Sequence, residues 1–114
     1  MNTITVYEEI INIKQLTVTA VEIDKEVIVH CHVKKQTPTC PTCRVDAQSL
    51  GETSMLRVRD HDLALRPTWL ALSIRQCHCA KCGEKNPELL TFLDKNRQTT
   101  ARYAKSVNMV RLGL

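Results

Sequence analysis

The sequence predicts a small α+β domain, mostly antiparallel β, with an N-terminal β hairpin and a C-terminal helix. Three observations predict it. Two runs alternate apolar and polar residues with the period of strands, Leu16 to Lys34 and Trp69 to Cys79. Each of these runs leads into a Cys-x-x-Cys turn, Cys40-Pro41-Thr42-Cys43 and Cys79-Ala80-Lys81-Cys82. Late in the chain, Thr99 or Thr100 stands as a helix cap before a stretch that places Tyr103, Val107, Val110 and Leu114 on one side.

The two cysteine turns give the β part its expected form, a zinc-ribbon-like domain. Two Cys-x-x-Cys turns facing each other supply four soft thiolates, the ligand set of a tetrahedral zinc site. The separation of Cys43 from Cys79 exceeds the usual spacing of such pairs, about 15–20 residues. Gly83 follows the second pair and lets the chain turn without a Cβ clash, whereas Arg44 holds that place after the first. The expected cofactor is one Zn2+ on Cys40, Cys43, Cys79 and Cys82. Four thiolates close the coordination shell, so the metal is expected to be structural and not catalytic.

Taken in order, residues 4–13 fit either a short helix with Tyr7, Ile10 and Ile11 on one side or a strand. Residues 16–23 and 26–34 read as an antiparallel hairpin turning at Asp24-Lys25. The polar approach 34–39 leads to the first turn, and 44–56, which holds Gly51, reads as a short strand plus loop. Residues 57–66 precede a turn expected at Pro67-Thr68. From Trp69 onward, Trp69, Ala71, Ser73, Arg75, Cys77 and Cys79 face one way and Leu70, Leu72 and Ile74 the other. After a breaker at 83–87, the apolar piece 88–94 packs back on the strands. The expected division is 1–93 for the ribbon with its hairpin extension and 94–114 for a helical segment, the start of a helix-turn-helix.

Composition bounds the function. With 114 residues, one Trp and one Phe, the core must be aliphatic, and a metal would add the folding free energy it lacks. Six cysteines would also suit disulfides in a secreted protein, but residues 1–5 carry no basic region followed by an apolar run. A reducing cytoplasmic setting is therefore expected. No run approaches the ~18 apolar residues of a membrane span, so no membrane partner is expected. The net charge of +4 is uneven: residues 1–30 carry five acids and two lysines, and the remainder fourteen basic and seven acidic residues. A basic body of this kind suits a polyanion.

The basic residues expected to meet nucleic acid are Lys34, Lys35, Arg44, Lys81 and Lys85 around the turns, and Arg97, Arg102, Lys105 and Arg111 toward the C-terminus, with Lys95 among the latter group. Arg57, Arg59, Arg66 and Arg75 are read equally well as ordinary charged surface. Cys31 reads as a small buried hydrophobe. Cys77 and His78 are the residues able to exchange with a zinc ligand. His30 and His32 share a strand face, and His61 lies between Asp60 and Asp62, but no nucleophile or positioned partner completes a catalytic site. No enzyme activity is expected.

The order of these features resembles the N-terminal zinc-binding region of ISL-three family transposases, enzymes of bacterial insertion sequences. The features are a hairpin, Cys40-Pro41-Thr42-Cys43, Arg57-Val58-Arg59-Asp60, Ile74-Arg75-Gln76-Cys77-His78-Cys79, Cys82-Gly83, and Thr100-Ala101-Arg102-Tyr103. The resemblance covers roughly residues 10–112 and places the four cysteines on the family's zinc ligands and Thr99 to Leu112 where its DNA-binding helical region begins. It implies a module that binds duplex DNA, with mobile-element ends as the target, without the family's acidic catalytic domain. The alternative is an interaction, assembly or regulatory module. There the ribbon is a scaffold and the terminal helix, with its stripe Tyr103, Val107 and Val110, joins a second copy or another protein.

Overall fold

The computed structural model describes the backbone of residues 2–111 and the side chains of residues 2–107. Val110, Arg111 and Leu114, which the sequence assigns to the terminal helix, therefore have side chains outside the described residues.

The ambiguous N-terminal run is a helix, α1 (Thr3–Ile11). Its two ends settle the matter. The Asn2 side chain accepts the Thr5 N–H at 2.9 Å, and Asn12 takes a left-handed conformation with its N–H on the Glu8 carbonyl. Ile11 is buried and Tyr7 packs against the core, while Ile10 is half exposed. The Glu8 carboxylate accepts the Val18 N–H at 2.9 Å, beside the irregularity between Val18 and Ala20.

The expected hairpin forms as β1 (Leu16–Ile23) and β2 (Val27–Val33), closed by the Asp24 N–H on the Glu26 carbonyl. The next strand is far longer than the sequence suggests: β3 spans Gln48–Leu63. Its first half is polar because it lies at the sheet edge and is exposed, so hydrophobic alternation is absent there. Gly51, at φ +78°, sits in the register shift between Ser49 and Thr53 and lets the strand continue past two extra residues.

The turn expected at Pro67-Thr68 lies elsewhere. Ala64 and Leu65 both have positive φ and form a two-residue loop closed by the Leu63–Arg66 pair. Pro67 instead lies inside β4 (Arg66–His78), within the register shift between Asp60 and Leu63, where a missing N–H costs no ladder bond. A three-residue β5 (Lys85–Pro87) replaces part of the expected breaker, and α2 (Ala101–Arg111) ends the described chain.

The sheet order is β1-β2-β4-β3, with β5 on β4. All pairings are antiparallel except β2 with β4, which run parallel from Val27–Thr68 to His32–Ser73. Being parallel, the two strands leave the sheet at the same end, and each then enters a cysteine turn. That shared direction is what brings the turns together.

One face of the sheet carries the core: Leu16, Val18, Val27, Val29, Cys31, Val58, Leu70, Leu72 and Ile74, covered by Ile11 and Leu90. A second cluster holds Cys40, Ala47, Cys77 and Cys79. Along β4 the buried residues switch from Leu70, Leu72 and Ile74 to Cys77, so the strand's period of two turns Cys77 to the opposite face, and Cys79 follows just past the strand's end. The overall extents are 44 × 39 × 20 Å, and the short axis is what one sheet with one covering layer needs. On the less covered face, the Arg57 and Arg59 guanidiniums lie 5.0 and 5.7 Å from the Trp69 ring centroid. Among the described residues, no helix is long and apolar enough to cross a membrane.

Candidate metal centre

The two cysteine turns are built alike. In the first, the Cys40 N–H donates to Val45 O at 2.8 Å and the Arg44 N–H to Cys40 O at 2.9 Å. In the second, the Cys79 N–H donates to Glu84 O at 3.1 Å and the Gly83 N–H to Cys79 O at 2.7 Å. The fifth residue of each turn is left-handed, Arg44 at φ +59° and Gly83 at φ +76°. The Cys43 N–H also reaches the Cys40 sulfur at 3.4 Å, the kind of donor that stabilises a thiolate.

Short contacts hold the turns face to face. The Leu89 N–H donates to Thr39 O at 2.9 Å, and the Glu88 N–H to Arg75 O at 3.0 Å. Glu88 is buried, and its two oxygens accept from Arg75 Nη2 and Nε, both at 2.9 Å, and from the Arg75 N–H at 2.8 Å. Arg75 Nη1 donates in turn to Gln36 O at 2.6 Å. One side chain on β4 thus ties the first turn's approach to the segment that follows the second.

The four sulfurs of Cys40, Cys43, Cys79 and Cys82 all lie within 4.8 Å of one another, and those of Cys40 and Cys82 are 3.8 Å apart. A tetrahedron with zinc–sulfur bonds of about 2.3 Å has edges of about 3.8 Å, so the donor set fits zinc. Cys40 and Cys79 are buried, and Cys82 is exposed. Hydrogen bonding from the Cys82 backbone lowers the Cys79 thiol to about 7. Burial, then hydrogen bonding and repulsion from the neighbouring thiols Cys82 and Cys79, pushes Cys43 up to about 12. A divalent cation removes that repulsion and deprotonates its ligands.

Residues 36–82 match the family model described as the zinc-finger of transposase IS204/IS1001/IS1096/IS1165. The match takes in both cysteine turns of this zinc-finger and the strands between them, less than half of the chain. No curated protein and no solved structure matches the chain. The resemblance read from the sequence thus holds over the segment that carries the four cysteines, and the cluster is consistent with the zinc site of such a finger.

Other predicted residues fall around this centre. Cys77 is buried beside it, but its sulfur stands outside the four-sulfur group, 4.0 Å from Thr39 O. Burial raises its thiol, as it raises Cys31 to about 12 within the main core. His30 pairs with Glu22, and His32 is exposed. Lys34, Arg44, Lys81, Lys85 and Lys105 are exposed. Lys35 bonds to Asp46 and Thr39, and Arg97 Nη1 donates to Glu88 O at 3.3 Å.

Arg102 is partly exposed but pairs within the molecule. Its Nε and Nη2 donate to the Asp60 carboxylate at 3.0 and 2.6 Å, and the Thr100 hydroxyl donates to the same group at 2.8 Å. Thr100 Oγ1 also accepts the Tyr103 N–H, so Thr100 caps α2. Burial raises the Asp60 carboxyl, but hydrogen bonds from Arg102, Thr100 and the His61 backbone outweigh it and hold the group below the usual carboxylate range. Tyr103, which the alternative reading places in the stripe that joins a partner, packs on the Arg59 guanidinium at 5.1 Å and edge-on to His61 at 5.7 Å. Sequence reading passed over Asp60 as a structural group. The signal was available: Leu56, Val58 and Asp60 alternate along one face, and a carboxylate on a core face needs a partner.

Proposed function

We propose that this chain is a zinc-stabilised DNA-binding module of the transposase type, in which the metal is structural and no catalytic group is supplied. The observation that carries the reading is the four-sulfur cluster within a segment matching a transposase zinc-finger. Four thiolates on Zn2+ leave no open coordination position, so the metal fixes two turns and does not activate water. Those turns carry Arg44 and Lys81 outward, with Lys34 on the approach to the first and Lys85 at the start of β5 after the second, and rigid cations meet phosphates without ordering a long loop. Duplex DNA is the partner this arrangement favours, and the ends of a mobile element are the target that the family likeness suggests.

The test is fluorescence anisotropy of the zinc-loaded protein against a random duplex pool at increasing salt. Contact with three to five phosphates predicts a log–log slope of about −2.7 to −4.5. Absence of binding at low salt overturns the reading.

A second reading, protein assembly, is favoured by Leu65, 98% exposed at the β3–β4 loop, and Met55, 67% exposed on the edge strand β3. Self-association insensitive to salt, without DNA binding, is the result that selects it.

A further inference from the structure

Arg44 stands at a position whose twin in the second turn is glycine. Both residues are left-handed and close the same hydrogen bond to the first cysteine of their turn, yet only Gly83 adopts that conformation without steric cost. Arg97 is left-handed as well, at φ +58°, where its N–H closes a turn on Asp94 O at 2.9 Å. The two arginines are more than fifty residues apart in sequence, but they line one open cleft of about 400 Å3 together with Lys95. Leu89, Leu90 and Leu93 also line it, and Asp94 is the acid among its lining residues.

We propose that this cleft is a seat for a DNA backbone phosphate, a proposal that rests on the DNA-binding reading above. Three cations against apolar walls focus positive potential more strongly than the same charges spread on an open surface. Arg97 has one nitrogen anchored on the Glu88 carbonyl, which steadies it at the rim. Arg44 projects from a turn that zinc holds, so its place depends on the metal centre. A phosphate oxygen meets the arginine forks, and the sugars on either side meet the leucines. The cleft thereby joins the first turn and the segment leading into α2 in one contact, which neither makes alone.

The test compares Arg44→Gly, Lys95→Ala and Arg44→Lys with the parent in the salt-dependent duplex assay. Arg44→Gly removes the charge and relieves the left-handed strain, so zinc content stays at the parent value and the melting temperature stays or rises. The salt slope should shrink by about one for Arg44→Gly and for Lys95→Ala, with Arg44→Lys keeping the parent slope. Arg66→Ala, which removes an exposed cation at the start of β4, the end away from the cysteine turn, controls for loss of charge in general and should leave the slope unchanged. Parent binding with an unchanged slope in Arg44→Gly, or an equal loss in Arg66→Ala, overturns the cleft while leaving the DNA reading intact. Failure of the parent to bind duplex DNA overturns both.

Discussion

At the scale of residues, two acids facing inward, Asp60 and Glu88, tie segments that are distant in sequence. Asp60 is 2% exposed and receives two guanidinium hydrogen bonds and a hydroxyl, so removing Arg102 leaves a buried carboxylate short of donors. Arg102→Ala should cost about 1–3 kcal/mol in urea unfolding, with zinc content unchanged. The pH sign follows from the depressed Asp60 carboxyl: its contribution is present above the unfolded value of about 3.9 and is lost as pH falls through the lower folded value. Undocking of α2 should therefore show only in strong acid, read as loss of the contact between Tyr103 and His61. The cysteines divide by chemistry. Cys31→Ala, a small deletion in the main core, should cost about 1 kcal/mol and keep the metal. Cys77→Ala should keep it too, because that sulfur is outside the four-sulfur group. The ligand set was legible because Cys-x-x-Cys is a local pattern. The Asp60–Arg102 pair was not, since its partners are 42 residues apart and an arginine near a C-terminus looks like any surface cation.

At the scale of elements, the hairpin β1–β2 and most of β4 could be read because each buries one face and so alternates. Edge strand β3 escaped in its first half because exposure removes the alternation, and Gly51 reads as a loop signal when it is a bulge. The parallel pairing of β2 with β4 was also hidden. Strand patterns carry no direction, and only the pairing shows why two turns separated by two long strands converge. The Arg75–Glu88 pair bridges these elements, and Glu88→Ala should loosen β5 from β4. Faster amide exchange at Asn86 and Leu89 than at Val29 would show the effect, whereas uniform exchange would mean that the pair holds nothing locally.

At the scale of the whole molecule, a single aliphatic core on one sheet face and a four-sulfur cluster past the end of β4 are two separate places where stability can be gained. Structural zinc in such sites contributes on the order of 10 kcal/mol, comparable with the entire net stability of a small domain. Chelation should therefore unfold the cysteine half and abolish its cooperative melting. The most direct measurement is native mass spectrometry of the parent and of Cys40→Ser and Cys82→Ser. One zinc per parent chain and none in either variant is the predicted result. A parent mass with no metal, or zinc retained at full stoichiometry in both variants, would contradict the four-thiolate centre.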